Sequence, residues 1–165
     1  MKRKLWLFLF TVSLISINCK KSSNSASGDT TSQWTFNGTT YKVSNTSYES
    51  GSNELFANDD GGAVGGGNFI RVFFWSATKP TGNVSLTVVD YGTATPNPAN
   101  CSIQVGNLYD VSRPAGWLST GKAGDKVTLT VSSTGKLTVS FSNITVLESG
   151  VGGTTKIVSG TIVEQ

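Results

Sequence analysis

The sequence predicts an all-β protein, an antiparallel two-sheet β-sandwich of eight or nine strands. Three observations carry this expectation. From Gln33 onward apolar residues recur with period two, turn-forming residues punctuate the chain at short intervals, and no stretch shows a helical period of useful length. An up-and-down β-barrel satisfies the same pattern and stands as the alternative. The 165 residues leave room for one domain, expected over 33–165. A body of about 130 residues buries enough surface to fold without disulfides or metals.

The expected strands run in order from the first hairpin. Gln33–Phe36 and Thr39–Val43 flank Asn37-Gly38, two residues that accept positive φ and so close a two-residue turn. Glu54–Asn58, Asn68–Ser76, Asn83–Asp90 and Cys101–Gly106 follow, then Lys126–Ser132, Lys136–Leu147 and Thr154–Val163. Turn chemistry separates them: Asp59-Asp60-Gly61-Gly62, Lys79-Pro80-Thr81-Gly82, Thr95-Pro96-Asn97-Pro98, Gly124-Asp125 and Ser133-Thr134-Gly135. Parity assigns the faces. Val84, Leu86 and Val88 alternate with Ser85 and Thr87; Val127, Leu129 and Val131 with Thr128 and Thr130; Leu137, Val139 and Phe141 with Thr138, Ser140 and Ser142. One apolar and one hydroxyl face per strand describes antiparallel sheets wet on one side. After Phe141 the apolar parity moves to Ile144 and Val146, which places a β-bulge near Ser142-Asn143, where one extra residue turns the later side chains over.

Residues 1–19 read MKRKLWLFLFTVSLISINC. Basic Lys2, Arg3 and Lys4 precede a thirteen-residue apolar run, Leu5 to Ile17, broken only by Thr11, Ser13 and Ser16. That is the length of a signal-peptide core and short of the roughly 18–20 residues of a membrane-spanning helix. The run ends at Cys19, followed by the polar stretch KKSSNSASGDTTS, which cannot bury enough apolar surface to fold. The arrangement resembles a bacterial lipoprotein signal, and Cys-Lys-Lys-Ser after a relaxed lipobox is similar to lipoproteins of Bacteroidota. The usual bacterial pattern prefers Leu at the third position before the cysteine and Gly, Ala or Ser just before it; here Ser16-Ile17-Asn18 stands instead, a variation that lipoproteins of Bacteroidota tolerate. The resemblance implies a signal peptide over 1–18, an acylated Cys19 with a flexible tether over 19–32, and a lipid-anchored protein of the bacterial cell envelope, at the outer membrane facing periplasm or surface. Acyl chains contribute about 0.8 kcal/mol per buried methylene, so two or more anchor stably. As a whole the chain resembles the small β-rich lipoproteins of that phylum. An ordinary secretory peptide is the plainer reading. Asp29-Thr30-Thr31 also matches a short acidic-hydroxyl glycosylation motif, beside the reading of a Thr-containing tether.

Composition excludes whole classes of chemistry. With no His there is no Ser-His-Asp or Cys-His set and no imidazole ligand, and two Cys make no zinc ribbon. The net charge of +3 is concentrated at the start; removing residues 1–18 leaves ten basic and ten acidic residues. Such a body has no basic stripe for a phosphate backbone, so nucleic acid is not an expected partner. No cofactor is expected either.

Several residues invite a functional reading. Cys101 shares parity with Ile103 and Val105, which makes it a core thiol rather than a nucleophile. Asp59 and Asp60 in a glycine-rich loop offer oxygen to calcium, but their spacing matches neither an EF-hand nor a nonapeptide calcium repeat, and a flexible connection is the simpler account. If Ile70, Val72 and Phe74 face the core, then Phe69, Arg71, Phe73 and Trp75 line the opposite face. That row is a sugar-stacking or partner-binding platform if exposed, and packing if covered. Trp117, after Arg113-Pro114-Ala115-Gly116, presents itself on a loop or caps the open end of the core. Turn carboxylates Asp59, Asp60, Asp90, Asp110 and Asp125 would have to serve any hydrolase, and nothing pairs them in sequence. The expectation is therefore a lipid-anchored, non-catalytic binding or structural module whose partner beyond the membrane is a glycan or another envelope protein.

Overall fold

The computed structural model describes residues 31–59, 67–92, 95–107, 116–150 and 152–165. Cys19 with its signal and tether up to residue 30, Asp60 and the glycine run after it, Tyr109, Asp110 and the approach to Gly116 lie outside the described residues. Among the described residues eleven strands form: β1 (Gln33–Phe36), β2 (Thr39–Lys42), β3 (Asn45–Glu49), β4 (Glu54–Asn58), β5 (Asn68–Phe74), β6 (Val84–Val88), β7 (Asn100–Asn107), β8 (Trp117–Ser119), β9 (Lys126–Val131), β10 (Leu137–Glu148) and β11 (Thr155–Val163). There is no helix among the described residues. The all-β expectation holds. The count of eight or nine strands does not, because β3 and β8 had no sequence signal. Asn45-Thr46-Ser47 reads as turn chemistry, and three residues of β8 are too few to show a period.

The strands hydrogen-bond into one mixed sheet in the order β2-β1-β11-β10-β9-β6-β7-β5-β4-β3, rather than into two separate sheets, and this order is not that of an up-and-down meander. Among the described residues the one parallel pair is β6 with β7, at Thr87–Asn100 and Val88–Cys101. Two devices bend this ribbon around its own apolar face. First, β8 pairs with both β10 and β7, so β10, β9, β6, β7 and β8 form a hydrogen-bonded ring. Second, the edge strand β3 is tied back to the end of β11. The Thr46 hydroxyl donates to the Val163 carbonyl at 2.8 Å and accepts from the Gln165 N–H at 2.9 Å. Ser32 grips the same residue, its hydroxyl oxygen accepting the Val163 N–H at 2.8 Å.

Local sequence dictates the details that parity foresaw. Asn37 and Gly38 sit at φ 50° and 83°, the two positive values a tight hairpin between β1 and β2 requires. In β10 the register against β11 shifts between Phe141–Gly160 and Ile144–Val158, and Asn143 takes φ 55°. Two residues there oppose Ser159 alone, whose hydroxyl accepts the Asn143 N–H at 2.8 Å. The bulge lets Phe141 and Ile144 both face inward. Beyond it, Asp125 replaces the ladder that β9 no longer supplies, its carboxylate accepting the Thr145 N–H at 3.0 Å.

One core draws on β1, β4, β5, β6, β7, β9, β10 and β11, with Trp34, Leu55, Ile70, Val72, Ile103, Leu129, Val139 and Ile162 essentially inaccessible. Val84 departs from its expected inward place and is 39% exposed at the start of β6. Cys101 lies fully within the core, and burial pushes its thiol up from 9.0 to about 12. A raised folded-state value means that this contribution to stability is complete below pH 9 and is lost as pH rises toward 12. Urea unfolding near pH 8 and pH 10.5 checks it. The wild type is expected to lose about 2 kcal/mol more over that interval than Cys101→Ala, and equal losses would contradict a buried neutral thiol.

Candidate functional site

The outer face of β5 carries Phe69, Arg71, Phe73 and then Trp75, opposite the core residues Ile70, Val72 and Phe74, as parity required. Phe69 is buried in this row, and Arg71, Phe73 and Trp75 are half-buried. Phe69 is 6% exposed and lies beside Phe56 of β4, with ring centroids 6.1 Å apart. Its ring also rests on Gly106 of β7, where a Cβ would come within 2.6 Å of the ring carbons, so only glycine lets it lie flat. Arg71 stacks its guanidinium against Phe56 at 5.3 Å and Phe69 at 5.1 Å. Phe73 meets Tyr91 edge-on at 4.9 Å. The Trp75 indole donates to the buried Ser102 hydroxyl at 3.1 Å. These contacts make the outer face of the strand a second packing layer.

At the centre of that layer is Glu54, a residue the sequence did not mark. It is 4% exposed and faces Phe73 across the β4–β5 ladder. Its Oε1 lies 3.8 Å from Arg71 Nε, while Oε2 and Arg71 Nε are both buried without a hydrogen-bond partner. The Tyr91 hydroxyl is held above its ordinary pKa by burial and by the Glu54 charge, with Arg71 opposing. A buried carboxylate is ordinarily fully paired, so this is a strained electrostatic arrangement.

The other candidate, Trp117, sits on β8 at the open end of the core, where it packs against Phe36 with centroids 4.9 Å apart. Lys156 of β11 extends over both rings, 4.4 Å from the Trp117 centroid and 5.4 Å from that of Phe36. Tyr41 of β2 stacks on Trp34 at 5.3 Å and 20°. Between Phe36, Tyr41 and Trp117 opens a pocket of about 180 Å³, lined among the described residues also by Asn68, Val105, Gly106 and Asn107. The amides are fixed in place. Asp59 accepts both the Asn68 backbone N–H at 2.7 Å and its side-chain NH₂ at 2.9 Å, and Asn68 Oδ1 accepts from Asn107 Nδ2 at 3.1 Å. The Trp117 indole N–H is buried and makes no hydrogen bond.

No known protein family, curated protein or solved structure matches the chain. The site is therefore argued from its own chemistry. Trp117 was readable as a candidate because a Trp followed a Gly/Pro-rich stretch. Phe36, Tyr41, Asn68 and Asn107 were not, since they come from four other strands that only the fold brings together. Asp59, considered for calcium, has both carboxylate oxygens engaged by Asn68, and no cluster of three or more His, Cys, Asp or Glu occurs among the described residues. Asp125 is likewise committed to the β10 backbone and Asp90 to the Gly92 N–H.

Proposed function

We propose that this chain is a lipid-anchored protein of the bacterial cell envelope whose β body is a non-catalytic binding module, and that the pocket of Trp117, Phe36 and Tyr41 is its binding site. The single observation that carries the reading is a concave site with three aromatic walls and a few amides held rigidly by neighbours. That is the composition by which proteins bind small amphipathic molecules. The rings are braced from behind, Trp34 on Tyr41 and Lys156 over Trp117 and Phe36, so little ordering remains to oppose binding. The anchor reading comes from the resemblance of the first residues to a lipoprotein signal, with Cys19 as the acylated residue and the outer membrane as the site. The bending of the single sheet over one core supports a sandwich-like arrangement, its halves formed by β2-β1-β11-β10-β9 and β6-β7-β5-β4-β3.

A melting-temperature screen of the full chain against sugars, amino acids, organic acids and small aromatics tests the binding site. At least one class is expected to raise the Tm by mass action, and Tyr41→Ala is expected to abolish the rise. No rise with any class, or an equal rise in Tyr41→Ala, would contradict the assignment. Growth with an alkyne fatty acid tests the anchor: label is expected on the wild type and not on Cys19→Ser.

A further inference from the structure

The two ends of the β body differ in what they offer. Ser32, the residue before β1, lies at one of them: its hydroxyl oxygen accepts the Val163 N–H at 2.8 Å and its carbonyl accepts the Val43 N–H at 3.1 Å. Glu164, next after Val163, pairs with Lys79 at 2.7 Å, and Lys79 borders a cleft of about 300 Å³. Buried Phe74 and Leu86 line this cleft together with Pro80, exposed Val84 and Pro98. The pocket of Trp117 lies at the opposite end. Strand β5 runs from Asn68, which lines that pocket, to Phe74, which lines the cleft, over seven residues or about 20 Å. Strand β7 likewise runs from Asn100, two residues after Pro98, to Asn107 of the pocket.

The cleft end has the composition of a surface that meets a lipid interface. From Val72 to Val89 the only charged residue is Lys79, and from Tyr91 to Tyr109 there is none. Hydroxyls and amides of Ser76, Thr78, Thr81 and Asn83 stand at headgroup polarity beside Val84 and the two prolines, which can meet the first methylenes. Two exposed cations flank it: Lys42 precedes Val43, and Lys136 precedes Leu137, whose N–H Glu164 accepts at 2.9 Å; exposed Glu49 at the end of β3 is the opposing acid. The chain leading to this end sets the partner. Twelve residues, 20–31, separate Cys19 from Ser32, and even fully extended they reach about 40 Å at most. With Cys19 acylated, the cleft end is held near the bilayer at high effective concentration, so a contact too weak to hold a free protein can hold this one. We propose that the cleft between the β5–β6 connection and Pro98 is a membrane-docking surface, seated on the lipid interface that carries the anchor, and that the Trp117 pocket is thereby turned toward the aqueous side. The proposal rests on the reading of Cys19 as the acylated residue and is independent of what the pocket binds.

Electron paramagnetic resonance on the full chain, purified with its anchor and reconstituted into vesicles of phosphatidylethanolamine and phosphatidylglycerol, tests it. Nitroxide labels are attached at Thr81→Cys, on the cleft rim, or at Thr39→Cys, exposed opposite Phe36 at the pocket end; Cys101 is buried and stays unlabelled. The Thr81→Cys label is expected to be shielded from an aqueous nickel chelate and open to oxygen, and the Thr39→Cys label to show the reverse. Val84→Asp and Pro80→Asp each set a negative charge against the anionic interface and should shift the docked population roughly fivefold toward release, with the Tm confirming that each variant folds. Mass spectrometry of the same samples reads the acyl group separately. An acylated protein whose Thr81→Cys label is as aqueous as the Thr39→Cys label, or less immersed than it, would overturn the docking surface and leave the anchor standing. Shielding from nickel without access to oxygen would mean that a second copy covers the cleft, and would overturn it too, as would immersion that neither aspartate changes. An unacylated Cys19 would overturn both readings.

Discussion

Arg71→Met is expected to lower the free energy of unfolding by about 2–3 kcal/mol, whereas Glu54→Met, which removes the other half of the same pair, should change it by less than about 1 kcal/mol. The asymmetry follows from where the two charges sit. The Glu54 side chain is 6% exposed and that of Arg71 34%, so removing the guanidinium strands a carboxylate inside the aromatic layer, while removing the carboxylate leaves a cation that reaches water. The gain from the pair itself is small at 3.8 Å, and partial exposure of Arg71 screens it further. Arg71→Met also gives up the cationic contact with Phe56 and Phe69. The double variant should resemble Glu54→Met instead of summing the two changes. Urea denaturation of all four proteins measures this, and equal costs for the two single variants would show that Glu54 is not an effectively buried charge.

Ser119→Ala should cost about 3 kcal/mol, far more than loss of a hydroxyl from the surface. Ser119 is 2% exposed and stands where three strands meet. Its hydroxyl donates to the Val89 carbonyl just after β6, at 2.7 Å, and accepts the Ile103 N–H of β7 at 3.1 Å. The parallel β6–β7 pairing spans only two residue pairs, so this side chain continues the join that the backbones leave off. Alanine strands both backbone groups in a place that water does not reach. Ser85→Ala, on the exposed face of β6, provides the comparison and should fall within about 0.5 kcal/mol of the wild type. Amide exchange at Ile103 should accelerate in Ser119→Ala; an unchanged rate together with unchanged stability would mean that β8 does not close the ring through this hydroxyl.

The particular elements show what a sequence of this kind discloses. The Asn37-Gly38 turn and the Ser142-Asn143 bulge were legible because each is a local matter, a pair of residues that tolerate positive φ or a single break in alternation. The inward placement of Ile70, Val72 and Phe74 followed from parity, and so did that of Cys101. Pairing was not legible. Nothing in Asn45–Glu49 announces that Thr46 will be tied to Val163 and Gln165, more than a hundred residues away, and nothing in Trp117–Ser119 announces a strand between β7 and β10. The same limit governs the sites. Alternation placed Phe69, Arg71, Phe73 and Trp75 on one face, but whether that face was open depended on Phe56, Tyr91 and Ser102 from other parts of the chain. Glu54 escaped notice because a lone acid at the start of a strand is usually a solvated end. The pocket escaped because five strands contribute to it, β7 three residues and the others one each, and no window of sequence contains more than a fraction of the set.

The most direct test of the proposed binding role is ¹H–¹⁵N NMR of the full chain, with the four Trp indoles and the Asn side-chain amides assigned, during titration with a compound that raises the Tm in the screen. The proposal expects the Trp117 indole and the Asn68 and Asn107 amides to shift together along one saturating curve, while Trp34 and Trp75 move little. Shifts centred on Trp75 and the Arg71 layer, or none at saturating compound, would contradict it.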